Sequence, residues 1–157
     1  MSRFLLIAPG FPPSVGGIER YLYVRCQDAN DQATVLAPGV LGSRKQDKSS
    51  PFRVYRYPRF LHHWFGLRQL EQFFWTFLLV PCLYCQYRFQ WIECGQALPM
   101  GLVALLVKLV TDIPYTVWTH GDDVLRPAKL IITNWLLRLV LTNAKTVCAN
   151  SQSGTPS

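Results

Sequence analysis

The segment from Phe4 to Cys26 constrains the fold of this chain more than any other. It begins with a short, unbroken apolar run at residues 4–8, which predicts a strand of a parallel sheet that is covered on both faces. A proline-rich loop then ends the strand, because proline lacks an N–H group and fixes φ. The pair Gly16-Gly17 opens an amphipathic helix, for which Ser14 is the expected N-cap. Strand, glycine loop and helix together predict an α/β unit.

The glycine pair also indicates a ligand. Glycines allow positive φ, and without side chains they let an anionic group approach the N–H groups at a helix start. Gly16 and Gly17 therefore indicate a nucleotide or phosphate site, with a purely structural turn as the alternative. An NAD site fits poorly, because its fingerprint needs G-x-G-x-x-G in one tight turn, and here prolines separate Gly10 from the pair. No Gly-Lys-Ser/Thr follows the strand either, which argues against a P-loop.

The rest of the chain alternates between apolar strands and helices. With 157 residues it has the size of one domain. The spacing predicts helices over 67–90, 98–110 and 130–141, and a polar loop at 42–51. Alternation of this kind implies right-handed crossovers, so we expect an α/β fold with a doubly wound, mostly parallel Rossmann-like sheet. The predicted strands are residues 4–8, 33–37, 52–57, 91–94, 115–119 and 145–149, of which 52–57 is expected at an edge.

The composition limits the kinds of binding partner and the cellular compartment that we expect. Half of the residues are hydrophobic and 16% are charged, which suits a sheet buried on both faces or a protein that touches a membrane. The net charge of +7 indicates anionic partners, among which nucleic acid has only this charge in its favour. Five irregularly spaced cysteines favour a reducing cytosol over a disulfide framework, and no signal peptide is visible. We expect a cytoplasmic protein, with a peripheral position at the inner face of the membrane as an alternative.

The most apolar long segment predicts a buried helix. From Phe73 to Cys85 there is no charged residue, but Pro81 interrupts the run. The run is shorter than the roughly 18–20 apolar residues that span a bilayer. We expect a kinked and largely buried helix, in which Cys82 and Cys85 are buried thiols rather than a metal or redox pair.

A basic patch precedes this helix. Six basic residues lie between Arg44 and Arg59, against the single acid Asp47, and aromatic residues follow closely. One interpretation is contact with an anionic membrane or with an anionic acceptor, and the other is a solvated sheet edge whose aromatic rings fold inward. The residues expected in a membrane contact are Arg53, Arg56, Arg59 and Trp64.

Polar and small residues follow the ends of several predicted strands. In an open α/β sheet, ligands bind beyond the carboxyl ends of the strands. His120 can donate a hydrogen bond or carry charge near neutral pH, although neighbouring backbone could equally satisfy it. Asp122 and Asp123 are adjacent and point in different directions, so we expect helix capping and no metal site. The candidate site residues are Gly16, Gly17, Gly95, Gln96, His120, Gly121, Asp122, Asn150 and Ser151.

These motifs resemble the amino-terminal domain of family-4 glycosyltransferases, which are retaining enzymes of the GT-B fold. The resemblance is carried by residues 11–13 (Phe-Pro-Pro), 16–20 (Gly-Gly-Ile-Glu-Arg), 120–122 (His-Gly-Asp) and 149–151 (Ala-Asn-Ser). They occur in order along nearly the whole chain. The four motifs together are more specific for this family than any one of them alone.

The resemblance implies two Rossmann-like domains that face each other across a cleft, of which the amino-terminal one binds mainly the acceptor. It implies that Gly16 and Gly17 approach the donor diphosphate or the acceptor through N–H groups, and that His120 contacts the transferred sugar. It implies a nucleotide-sugar donor, a saccharide or lipid-linked acceptor, polysaccharide biosynthesis and no metal cofactor. The donor phosphate would help to deprotonate the acceptor, so the protein supplies mainly positioning and charge stabilisation.

Compared with the whole family pattern, residues 1–157 cover only the amino-terminal domain. We expect the last helix to be cut off, the carboxy-terminal donor domain to be absent, and this piece alone to be inactive. The alternative function is a non-catalytic α/β module that docks on an anionic membrane or on a protein partner.

Overall fold

The computed structural model of the chain describes residues 3–61, 65–121 and 130–149. These residues form a single parallel sheet with helices on both faces. The strands are β1 (Phe4–Ile7), β2 (Ala33–Pro38), β3 (Arg53–Tyr57), β4 (Trp91–Cys94), β5 (Tyr115–Thr119) and β6 (Thr146–Ala149). The helices are α1 (Gly17–Ala29), α2 (Ser43–Ser49), α3 (Phe65–Tyr87), α4 (Met100–Thr111) and α5 (Ile131–Asn143), with a 3-10 turn at Asn30–Gln32.

The described strands lie in the order β3-β2-β1-β4-β5-β6, and all of their pairings are parallel. Strand β1 is central: Phe4 is in register with Ala33 on one side and with Trp91 on the other. This is the doubly wound order of Rossmann-like sheets, in which the topology switches direction between the first and fourth strands. The predicted fold class is confirmed.

Alternate side chains of β1 enter two separate cores. Leu5 and Ile7 pack in the core that also contains residues of α3, α4 and α5. Phe4 and Leu6 pack in the second core, to which α1 contributes Leu22. Because successive side chains of a strand point to opposite faces, α1 covers one face of the sheet and α3, α4 and α5 cover the other.

Two local predictions are wrong. Residues 43–49 form the short helix α2 instead of a loop. Most of its residues are solvent-exposed or half-buried, so the helix has no apolar face from which it could be predicted. The N-cap of α1 is Gly16 rather than Ser14, and its backbone is extended with φ −174°, which any residue adopts. Neither Gly16 nor Gly17 has positive φ, so the backbone conformation does not require glycine at these two positions.

Helix α3 is more exposed than its apolar sequence predicted. It has 23 residues and contains Pro81 in its interior. Val80 and Leu83 are buried against the sheet layer, whereas Cys82 and Cys85 are exposed. The expectation of a largely buried helix with buried thiols is therefore wrong, because only one side of α3 packs on the domain.

Across the described ranges, none of the helices has both the length and the apolarity required to cross a membrane.

Candidate functional site

The carboxyl ends of β1 and β4 meet at Gly95. Its N–H donates a hydrogen bond to the carbonyl oxygen of Ile7 at 2.8 Å. A Cβ atom placed on Gly95 would lie 2.8 Å from Cδ of Pro9 and 3.2 Å from the oxygen of Ile7. Real Cβ atoms do not approach other atoms so closely, so this position requires glycine. The glycine lets the loop after β1 lie directly on the end of β4.

His120 lies immediately after β5 and leans toward β4. Its Nε2 atom is 3.2 Å from the carbonyl oxygen of Gly95, and the side chain is partly buried. A carbonyl oxygen only accepts hydrogen bonds, so this bond requires the proton on Nε2. Backbone therefore satisfies one nitrogen of His120, as the alternative interpretation expected, and this bond holds the imidazole at the carboxyl edge of the sheet.

The two glycines at the start of α1 have different surroundings. A Cβ atom on Gly16 would collide with the carboxylate of Glu19, and one on Gly10 would lie 2.7 Å from Oε1 of the same residue. At Gly17, by contrast, a Cβ atom would meet no atom within 4 Å. The carboxylate of Glu19 therefore occupies the space beside Gly10 and Gly16, and the open approach is at Gly17.

Sequence reasoning did not predict that the Glu19 carboxylate fills the space beside Gly10 and Gly16. From the sequence alone, an acid in the first turn of α1 is expected only to suit the positive end of the helix dipole. The available signal was the combination of two glycines and an acid within one turn of α1, since a carboxylate near a helix start folds back over neighbouring small residues.

Arg56 holds the loop that carries the glycine pair. Its guanidinium donates to the carbonyl oxygens of Pro12 at 2.5 Å and Pro38 at 3.1 Å, and it pairs with Asp47 at 2.8 Å. It also lies 5.5 Å from the ring centroid of Phe11. One side chain thus ties the loop after β1 to the end of β2 and to α2.

The predicted basic patch is consequently divided. Arg56 is engaged inside the domain, with 12% of its side chain exposed. Arg53 begins β3 at the opposite, amino edge of the sheet, where its guanidinium lies 5.2 Å from the ring centroid of Tyr87. Arg59 is partly exposed, and Trp64 lies outside the described residues. Arg53 and Arg56 do not form one surface.

A buried carboxylate fixes α1 on the sheet. Glu93 of β4 accepts a hydrogen bond from Arg25 of α1 at 2.8 Å, and from the indole N–H groups of Trp91 at 3.2 Å and Trp118 at 3.4 Å. Burial, and secondly the charge of Glu93, raise the pKa of the Cys26 thiol to about 12. This network ties the second half of α1 to strands β4 and β5.

The structure thus brings six of the candidate residues to one edge of the sheet. Gly121 has positive φ (77°) next to His120, and Gln96 is partly exposed next to Gly95. Asp122, Asn150 and Ser151 lie outside the described residues, so their positions stay predictions. In the ranges that are described, no three His, Cys, Asp or Glu side chains cluster as metal ligands do. The residues at this edge are Gly16, Gly17, Gly95, Gln96, His120 and Gly121.

A parallel sheet of this strand order, with glycine loops at its carboxyl edge, defines the class of Rossmann-like α/β domains. The family model of Glycosyltransferase Family 4 matches residues 15–154, which is most of the chain. The chain therefore belongs to glycosyltransferase family 4. No curated protein matches it significantly.

Solved structures share the fold. HepE from Anabaena in complex with UDP and glucose is 17% identical, with a TM-score of 0.63 over 97% of this chain and 39% of that one. HepE in complex with UDP-glucose is 14% identical, with a TM-score of 0.61 over 97% of this chain and 38% of that one. The chain thus spans less than two fifths of the length of these proteins.

Proposed function

We propose that this chain is the acceptor-binding half of a retaining glycosyltransferase. The enzyme would transfer a sugar from a nucleotide-sugar donor to a saccharide or lipid-linked acceptor. Membership of family 4 supports sugar transfer, and the complexes of HepE with UDP and UDP-glucose support a nucleotide-sugar partner. The observation that carries the proposal is the imidazole of His120 held at the carboxyl edge, 3.2 Å from the oxygen of Gly95.

The charge beside the glycine pair favours the acceptor over the diphosphate. The carboxylate of Glu19 lies next to Gly10 and Gly16. A carboxylate accepts hydrogen bonds from hydroxyl groups and repels phosphate, so it suits the hydroxyls of a saccharide. The open backbone at Gly17 then gives the acceptor room to approach the start of α1.

In the reaction, the bond between the anomeric carbon of the sugar and the diphosphate breaks. A bond from the same carbon to the acceptor oxygen forms on the same face. The acceptor proton passes to the oxygen of the departing phosphate, so no side-chain base is needed. The protein contributes positioning and hydrogen bonds to developing charge. His120, whose imidazole is oriented by its bond to Gly95, would contact the transferred sugar near the reacting centre.

The proposal is tested on the intact enzyme that carries this chain. It is incubated with a panel of nucleotide-sugars and with saccharide and lipid-linked acceptors, and the released nucleoside diphosphate is measured. We expect release that depends on one donor and one acceptor class, with the anomeric configuration retained in the product by NMR. Inversion of configuration would contradict the retaining mechanism, and absence of turnover across the panel would contradict sugar transfer itself.

A further inference from the structure

One side of α3 presents a continuous apolar surface to solvent. Its members are spaced three or four residues apart, which places them on one face of the helix. Two of them, Leu70 and Phe74, are 65% and 58% exposed. We call this surface the α3 stripe. It consists of Leu67, Leu70, Phe74, Phe77, Leu78, Pro81, Cys82 and Cys85.

The α3 stripe carries no charge. Glu71 is the one acid in the sequence of α3. It lies one turn after Leu67 on the same side of the helix, but it is buried under the preceding loop. Its carboxylate accepts hydrogen bonds from the N–H groups of Phe60 at 2.7 Å and Leu61 at 3.1 Å. This contact holds the preceding loop against α3 and places the exposed side chain of Phe60 near the start of the stripe. Single exposed apolar residues are ordinary, but a contiguous row marks an interaction surface.

Positive charge lies at both ends of the stripe. Arg59 precedes α3 and is partly exposed, and Arg88 follows it and is exposed. The Arg88 guanidinium lies 5.5 Å from the ring centroid of Tyr84. The whole chain carries a net charge of +7. An apolar helix face flanked by arginines is complementary to a bilayer that has anionic headgroups.

The size of the stripe argues against a second copy of the chain as its partner. From Leu67 to Cys85 the helix rises about 27 Å, and a helix is about 10 Å wide. The stripe therefore offers roughly 300 Å², whereas a stable protein interface buries roughly 800 Å² per partner. A bilayer does not need a matching protein surface, because the acyl boundary adapts to the helix.

We propose that α3 docks this domain on anionic membrane, with the helix lying in the plane of the interface and the α3 stripe in contact with the acyl boundary. Helix α3 follows β3 and so begins at the carboxyl edge of the sheet. Docking therefore brings the start of α3, at the carboxyl edge, to the lipid surface together with the rest of the stripe. The proposal does not depend on sugar transfer, because it concerns a face of the helix that is separate from the site.

Vesicle flotation of the purified chain tests the proposal. The probes are vesicles of phosphatidylcholine alone and vesicles that also contain phosphatidylglycerol. We expect binding to the anionic vesicles, and at least about 10-fold weaker binding when Phe74→Ser and Phe77→Ser are combined, since each substitution removes a large apolar contact. The matched control combines Val24→Ser and Leu41→Ser, which alter exposed apolar residues away from α3 and leave binding unchanged. Circular dichroism verifies that both variants are folded.

The exposed thiols provide a second readout without any substitution. Cys82 and Cys85 lie in the α3 stripe, whereas Cys148 is partly exposed on β6. We expect anionic vesicles to slow the reaction of Cys82 and Cys85 with a charged, membrane-impermeant maleimide, but not that of Cys148. The proposal is overturned if the chain does not float with anionic vesicles, or if the double variant floats as well as the original chain. Unchanged labelling, or self-association that the same variant abolishes, also overturns it.

Discussion

The imidazole of His120 and the backbone of Gly95 are joined by a contact of 3.2 Å between Nε2 and the carbonyl oxygen. The two residues follow neighbouring strands, β5 and β4, and the N–H of Gly95 bonds in turn to Ile7 at the end of β1. A chain of hydrogen bonds therefore links the ends of three strands. It holds the histidine beside the loop that leads to the glycine pair.

Replacing Gly95 should destabilise the fold. In Gly95→Ala the new methyl group meets Pro9 at 2.8 Å and the oxygen of Ile7 at 3.2 Å, so the strand ends must separate. We expect a loss of about 1–3 kcal/mol in the free energy of unfolding, as for other overpacked sites. Urea denaturation measures it, with Gly17→Ala as the control because a Cβ there has open space. Equal stability of the two variants would show that the loop after β1 does not press on Gly95.

Blocking the open side of Gly17 should abolish ligand binding but not folding. In Gly17→Val the side chain projects into space that no protein atom occupies within 4 Å. We expect a far-UV circular dichroism spectrum like that of the original chain, and loss of acceptor binding in the intact enzyme. Gly66→Val is the matched control, since Gly66 also has open space but lies on α3. Acceptor binding that survives Gly17→Val would place the acceptor elsewhere.

Removing the Arg56 side chain should loosen the glycine loop. Arg56→Ala deletes the bonds to Pro12, Pro38 and Asp47. We expect a loss of about 2 kcal/mol or more, because hydrogen bonds to charged groups are among the stronger ones. Hydrogen exchange of the Ser14 N–H, which bonds to the oxygen of Phe11 at 3.3 Å, should accelerate.

Arg56→Lys should recover only part of this stability. A single ammonium group cannot reproduce the fork of the guanidinium that reaches several acceptors at once. Full recovery by lysine would mean that only the charge of Arg56 is needed, and not its geometry.

The buried Cys26 thiol should make the fold sensitive to alkali. Burial raises its pKa from 9.0 to about 12, with a further contribution from Glu93. A pKa that is higher in the folded state contributes stability that is fully present below pH 9 and is lost as the pH rises toward 12. Denaturation midpoints measured across this range should fall less steeply in Cys26→Ala. An unchanged slope would show that Cys26 does not ionise on unfolding.

The parallel sheet was predictable from the sequence because its strands are short, continuous apolar runs such as Phe4–Ile7, which only a doubly covered sheet can bury. Helix α2 was not predictable, since Ser43–Ser49 is polar on all sides and has no apolar period. The exposed face of α3 was not predictable either, because an apolar composition does not determine which side of the helix packs against the domain.

The candidate site could be located from the sequence, but its internal contacts could not. Glycines and a histidine after successive strands predict one shared edge, because parallel strands end on the same side. Two glycines and an acid within one turn indicate that the Glu19 carboxylate lies near Gly16, but the contact itself depends on rotamers and loop geometry, which residue patterns do not encode. For the same reason, the sequence did not indicate that Arg56 holds the loop from inside the domain.

The most direct test of the proposed site is the turnover of His120→Ala in the intact enzyme, measured at saturating donor and acceptor. His120 is held at the carboxyl edge by its bond to Gly95, and its imidazole would contact the transferred sugar near the reacting centre. We expect turnover to fall by on the order of 10²-fold or more while the circular dichroism spectrum and the melting temperature stay close to those of the original enzyme. Turnover within about 2-fold of the original would contradict a role for His120 in sugar transfer.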